Sequence, residues 1–257
     1  MTAAKTEAGC LGTDPRVCYN RERIRSCQAL KRSAGNTEYE WSIALLNLYR
    51  TDPMSLVAVL IAMLIGLTVH EASHAWVANR LGDDTAKQAG RLTLNPLRHL
   101  DPLGSIMIFL IGFGWAKPVP VSPWRLRHGP RIGMALVAAA GPFSNLLLAT
   151  TVALLWRLKV FAGMPTWAPL LVGVMVSLNV ALLLFNLIPL APLDGNSVLN
   201  GVVGGRIAAA LTPLRTYGPM ILIGLILIGS FVPQFDIFGR ILGPLRQGLT
   251  QLLLGVG

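Results

Sequence analysis

Charge is scarce in this chain, and acid is scarcer than base. Of its 257 residues, 13% are charged and 53% hydrophobic, whereas an ordinary soluble domain runs near 25% charged. That deficit, together with long apolar runs, argues against a water-soluble domain and for a polytopic membrane protein. Beyond Met54 the acids reduce to Glu71, Asp83, Asp84, Asp101, Asp194 and Asp236, so any acid–base chemistry in the membrane draws on this short set. Cysteine is nearly absent. Cys10, Cys18 and Cys27 all precede Met54 and show no Cys-x-x-Cys spacing, which excludes a disulfide framework and a thiolate metal site. Residues 1–53 lack the apolar core of a signal peptide. No internal repeat or low-complexity tract is evident. The net charge of +10 does not imply nucleic acid: the basic residues are scattered between apolar runs, and contact with a membrane surface accounts for them.

The apolar runs predict an all-α polytopic membrane protein with about four full transmembrane helices plus a short re-entrant or interfacial segment. The spans are expected near 54–79, 131–156, 168–190 and 218–232. At 1.5 Å per residue, about 20 apolar residues cross a hydrocarbon core of about 30 Å. The apolar run 103–114 has only 12 residues, too few to span. Three divisions follow: 1–53, a polar basic N-terminal extension, disordered or upstream of a true start at Met54; 54–232, a membrane-embedded core; and 233–257, an amphipathic tail suited to the interface.

One cluster of ionisable groups interrupts the first apolar run: Val69-His70-Glu71-Ala72-Ser73-His74. A charged side chain at a helix centre costs roughly 2.5–3.5 kcal/mol on insertion scales, so such a cluster needs a reason. A single histidine on an apolar helix is usually a core residue. Here two stand four apart, which places both imidazoles on one face, one turn apart, where both reach one metal ion. Glu71 between them is placed to act as general base on a metal-activated water.

A catalytic zinc takes three protein ligands and leaves one position for water. His99 and His128 flank polar, proline-rich loops and are poor candidates for the third. Asp194 stands where the span 168–190 breaks, in Asn186-Leu-Ile-Pro189-Leu-Ala-Pro192-Leu-Asp194-Gly195. Irregular backbone at membrane depth is tolerated only inside protein or beside a wet cavity. Taken alone, Asp194 equally suits the N-cap of a following helix. His70, His74 and Asp194 form the expected ligand set. Asn145, Asn179 and Asn186 are the neutral side-chain donors clustered in the spans. They are candidates for stabilising an oxyanion or positioning substrate, with a helix–helix hydrogen bond as the plain alternative for Asn145. Pro118-Val119-Pro120-Val121 is held extended by its prolines. It suits either a strand onto which a substrate peptide adds or a rigid interfacial linker.

Taken together, His70-Glu-Ala-Ser-His74, Gly141-Pro-Phe-Ser-Asn145 and Asn186-Leu-Ile-Pro-Leu-Ala-Pro-Leu-Asp194-Gly195 resemble the site-2 protease family of intramembrane zinc metalloproteases. The segment from Arg91 to Gly104 resembles its compact prokaryotic members. The resemblance covers about 54–232 and leaves no room for a PDZ or CBS domain. It implies one Zn²⁺ per chain held by His70, His74 and Asp194, with Glu71 as the catalytic base. It also implies substrates that are transmembrane segments of other proteins in the lipid bilayer. A divalent-metal transporter and a catalytically silent membrane scaffold are the rival readings; neither needs Glu71 beside two ligands. Eight basic residues (Arg80, Lys87, Arg91, Arg98, Lys117, Arg125, Arg127 and Arg131) separate the first two spans, against Arg157 and Lys159 between the second and third. Positive-inside logic then turns the histidine end of the first span towards the cytoplasm, in the cell membrane of a prokaryote.

Overall fold

The first long helix buries a stripe at every fourth position, small residues and two histidines: Ala58, Ala62, Gly66, His70, His74 and Ala78. In the computed structural model, which describes residues 52–111, 114–165, 167–203, 207 and 212–256, this is α1, Pro53–Arg80. The expectations for the extension 1–53, including a start at Met54, concern residues that are almost all outside that description. The helix begins where the Asp52 carboxylate accepts the Ser55 amide at 3.2 Å and Pro53 sets the first turn. It stops at Leu81-Gly82, with Gly82 at φ 102°, a conformation open to glycine at little cost.

The helix α4, Gly129–Arg157, carries the matching stripe: Gly133, Val137, Gly141, Asn145, Ala149 and Ala153. Two such four-residue rows of small side chains let the backbones of α1 and α4 approach closely. Behind both lies α5, Trp167–Asn186, the most buried of these three long helices. Ala62, Met175 and Leu178 pack at the α1–α5 contact, and Ala149, Ala153, Val172, Val176 and Val180 at the α4–α5 contact. These three helices are long and apolar enough to cross a membrane. The fourth expected span falls on helix α7, Thr212–Phe231, which has 20 residues. Among the described residues the architecture is all-α, with one isolated bridge, Leu100 to Ala116, and no named strand.

The shorter elements lie around this core. The helix α2 is the single turn Thr85–Gln88. The expected short segment is α3, Pro102–Ile111, whose ten residues span about 15 Å, half a hydrocarbon core. A break after α5 leads into α6, Asp194–Val202, which packs across α4. The C-terminal stretch, expected as an interfacial tail, forms α8, Ile237–Leu254, docked on α5 and α4. Its buried row is Arg246, Thr250 and Leu254. Leu254 joins the α4–α5 cluster, and Arg246 donates to the Ser177 hydroxyl at 2.6 Å. That face of α8 is turned into protein, since apolar packing at Leu254 and a polar partner for Arg246 are both available there.

Candidate metal centre

The two histidines lie on the buried stripe of α1, facing α4. Each ring is fixed by its Nδ1 atom. That of His74 donates to the Val137 carbonyl at 2.7 Å. A carbonyl only accepts, so the hydrogen sits on Nδ1 and Nε2 is left as a bare lone pair. Val137 lies five residues before Pro142, the proline inside α4, which deprives the neighbouring Ala138 carbonyl of its usual amide and loosens the helix at this turn. The Nδ1 of His70 lies 2.8 Å from Asn145 Oδ1. The Asn145 amide nitrogen in turn donates to Asn179 Oδ1 at 3.0 Å, and the Asn179 amide to the Met175 carbonyl at 2.8 Å. His70 thus also presents a bare Nε2.

Asp194 closes the site from the other end of the core. Pro189 and Pro192 stop α5 from continuing. Gly195 then lets the chain pass so close that a Cβ there would stand 2.3 Å from the Leu187 carbonyl oxygen. Asp194 is the first residue of α6 and Leu193 its N-cap, so the carboxylate is not spent on capping. At the far end of α6, Arg131 donates to the carbonyls of Asn200, at 2.7 Å, Gly201 and Val203, tying the helix that carries Asp194 to the start of α4. Asp194 Oδ2 comes to 3.1 Å from His70 Nε2 and 3.4 Å from His74 Nε2, and no hydrogen-bond donor serves it.

Three lone-pair atoms therefore converge, from positions 70, 74 and 194. A tetrahedral zinc with bonds of about 2.0–2.1 Å holds its ligands about 3.3 Å apart, close to the two separations of the carboxylate oxygen from the imidazole nitrogens, 3.1 and 3.4 Å. Gly141 supplies the room: a Cβ there would lie 2.5 Å from His74 Nε2 and 2.6 Å from His70 Nε2. The donor set, the unserved carboxylate oxygen and the space left by Gly141 all fit a zinc ion. Glu71 groups with the two histidines, the three potential ligand atoms lying within 4.8 Å of one another. The Asp194 side chain keeps 18% exposure while the histidines keep 5% and 9%, so the site opens on the carboxylate side.

Of the other expected residues, Asn145 and Asn179 come together behind His70. Asn186, at the end of α5, stands apart from them and donates to the Leu182 carbonyl of its own helix at 3.0 Å. The segment around Pro118, Val119, Pro120 and Val121 is pinned at both ends by two buried charged side chains. Arg91 donates to the Arg98 and Lys117 carbonyls at 2.5 and 3.3 Å, and the Lys117 amide pairs with the His99 carbonyl at 2.8 Å. Asp83 accepts the Ser122 amide at 2.6 Å and the Thr85 amide at 3.1 Å. Burial by itself would raise the Asp83 pKa, but the Thr85 hydroxyl, the Ser122 and Thr85 amides and the Arg125 charge hold it below the usual carboxylate range. Asp83 therefore stabilises this loop at neutral pH, and the contribution is lost as pH falls through its lowered pKa.

Sequence reasoning missed the Val137 carbonyl, Gly141 as a wall of the site, and the Asp83 and Arg91 anchors. A backbone acceptor leaves no side-chain signature; the nearest signal was Pro142. The two anchors had one: each is a charged residue in an interfacial loop flanked by glycine.

No family model matches the chain, and no solved structure does. Among curated proteins it is similar to the proposed zinc metalloprotease YwhC of Bacillus subtilis. The identity is 43% over 189 residues, covering 70% of this chain and 86% of YwhC. It is also similar to proteins named Rip2, likewise proposed zinc metalloproteases. The Rip2 of Mycolicibacterium smegmatis is 33% identical over 68% of this chain and 70% of its own length. That of Mycobacterium tuberculosis H37Rv is 32% identical over 80% and 82%.

Proposed function

The chain belongs to the site-2 protease family of zinc metalloproteases, and from that premise we propose that it hydrolyses peptide bonds in or near transmembrane segments of other membrane proteins. The observation that carries the reading is the convergence of three potential ligand atoms, His70 Nε2, His74 Nε2 and Asp194 Oδ2, beside Glu71. His70, His74 and Asp194 hold one Zn²⁺. Zinc bound there supplies a Lewis acid that acidifies water and polarises a carbonyl. Glu71 holds the proton that the attacking water gives up and returns it to the departing amine nitrogen. Asn186, only partly buried, has a second amide hydrogen to offer the carbonyl oxygen of the scissile bond. The basic residues clustered beyond the histidine end of α1 support an active site open to the cytoplasmic side of a prokaryotic cell membrane.

A substrate helix already uses its backbone hydrogen bonds, so it must unwind before a peptide bond can be attacked. The pinned segment Pro118–Val121 offers replacement bonds. In an extended chain alternate amides share an edge, so Val119 and Val121 carry the donors of one edge, while Pro118 and Pro120 carry none. Val119→Pro removes one donor and is expected to slow cleavage about tenfold with zinc content unchanged. An unchanged rate removes this segment from the account of substrate binding.

The reading as a whole is tested in proteoliposomes with a panel of single-span membrane proteins tagged at both ends. Cleavage is expected, its loss on treatment with a zinc chelator, and its return on adding zinc. Zinc flux across the same vesicles without cleavage of any panel member would favour the transporter reading instead.

A further inference from the structure

We infer that Asn145 and Asn179 are positioning residues that act on the metal through His70. The inference rests on the zinc site proposed above and adds what makes His70 a competent ligand. The bonds run from the Met175 carbonyl to Asn179, to Asn145, to His70 Nδ1. Their direction is set at the far end. The Met175 carbonyl accepts, so Asn179 turns its NH₂ group to it and its oxygen to Asn145. Asn145 must then give its NH₂ group to Asn179 and its oxygen to the ring. A helix carbonyl two residues removed from the histidine thereby dictates which ring nitrogen carries the hydrogen.

The surroundings enforce the order. Asn145 and Asn179 are both 0% exposed and His70 is 4% exposed, so no water competes for these groups. Flipping either amide would set donor against donor or acceptor against acceptor in a buried place. Gly66, one turn before His70 on α1, lets Asn179 in: a Cβ at Gly66 would stand 3.0 Å from Asn179 Oδ1. The chain of bonds joins all three spanning helices, α1, α4 and α5. His74 obtains the same service from the Val137 backbone, which no side-chain replacement removes. The relay to His70 is the half of the arrangement that mutation can reach.

The test measures zinc affinity of the purified full-length protein by competition with a chromophoric chelator. Asn145→Leu keeps the approximate volume and removes the acceptor, and is expected to weaken zinc binding 10–100-fold. Asn145→Asp restores an oxygen for Nδ1–H but sets its second oxygen against Asn179 Oδ1, and is expected to bind zinc clearly more tightly than Asn145→Leu though below wild type, a partial rescue that a merely structural role would not produce. Asn179→Leu is expected to fall between the two. Asn145→Leu binding zinc as wild type does, or Asn145→Asp no better than Asn145→Leu, would overturn the inference. Nitrogen NMR of the zinc-free wild type needs no variant: the hydrogen of the neutral His70 ring is expected on Nδ1, and a hydrogen on Nε2 overturns the inference. His70→Ala separates the two levels. If it binds zinc as tightly as wild type, the zinc site itself is misplaced; if it does not, and the asparagine variants are silent, the relay alone fails.

Discussion

Glu71→Gln is expected to lower cleavage by about 10²–10⁴-fold, the usual range for a positioned general base, while zinc content stays at the wild-type level. The two effects separate because Glu71 is beside the donors without being one of the three that converge. His70, His74 and Asp194 make the short approaches of 3.1 and 3.4 Å among themselves. Glutamine keeps the shape of the side chain and removes its capacity to take a proton. The readout is single-turnover cleavage of a panel member together with zinc content of the same preparation. Retained cleavage would contradict the role given to Glu71. Retained zinc with lost cleavage is an outcome that neither a transporter nor a silent scaffold accounts for.

Gly141→Ala is expected to lower zinc affinity about 10²-fold or more and cleavage with it. The added methyl would sit 2.5–2.6 Å from three ring atoms, His70 Nε2 and Cε1 and His74 Nε2. Real contacts do not come so close, so one imidazole or the α4 backbone must shift. Displacing a reacting group by about 1 Å is enough for losses of order 10²-fold. The control is Gly133→Ala, on the same helix and the same stripe. There the methyl meets Leu126, at 2.6 Å from its Cβ, and no ligand. Overpacking of that kind costs about 1–3 kcal/mol of stability, so Gly133→Ala is expected to melt lower yet bind zinc normally. Equal zinc affinities in the two variants would show that Gly141 serves helix packing and nothing more.

The three side chains that converge, His70, His74 and Asp194, could be named together from the sequence because their placement depends on helical spacing and chain breaks. His70 and His74 declare themselves by four-residue spacing within an apolar run, and Asp194 by the prolines and glycine that stop a span around it. What surrounds the ligands was not legible. The Val137 carbonyl that orients His74 belongs to every residue type alike. Asn179 and Asn186, seven apart and so on one helix face, read as equivalent. They differ because Gly66 of another helix makes space for one of them, and because Asn145 stands opposite it. The C-terminal helix shows the same limit. Arg240 and Arg246 among leucines and isoleucines read as an interfacial pattern, yet Arg246 finds Ser177 in the core, a contact that periodicity does not encode.

The central claim is that side chains from α1 and from the start of α6 share one metal ion. Its most direct measurement is the zinc content of purified wild type and Asp194→Ala, with zinc-edge X-ray absorption on the former. One zinc per chain is expected in wild type, with two imidazole nitrogens and one carboxylate oxygen at about 2.0–2.1 Å, and a marked loss of zinc in Asp194→Ala. Full zinc occupancy in Asp194→Ala, with an unchanged absorption spectrum, would contradict the claim.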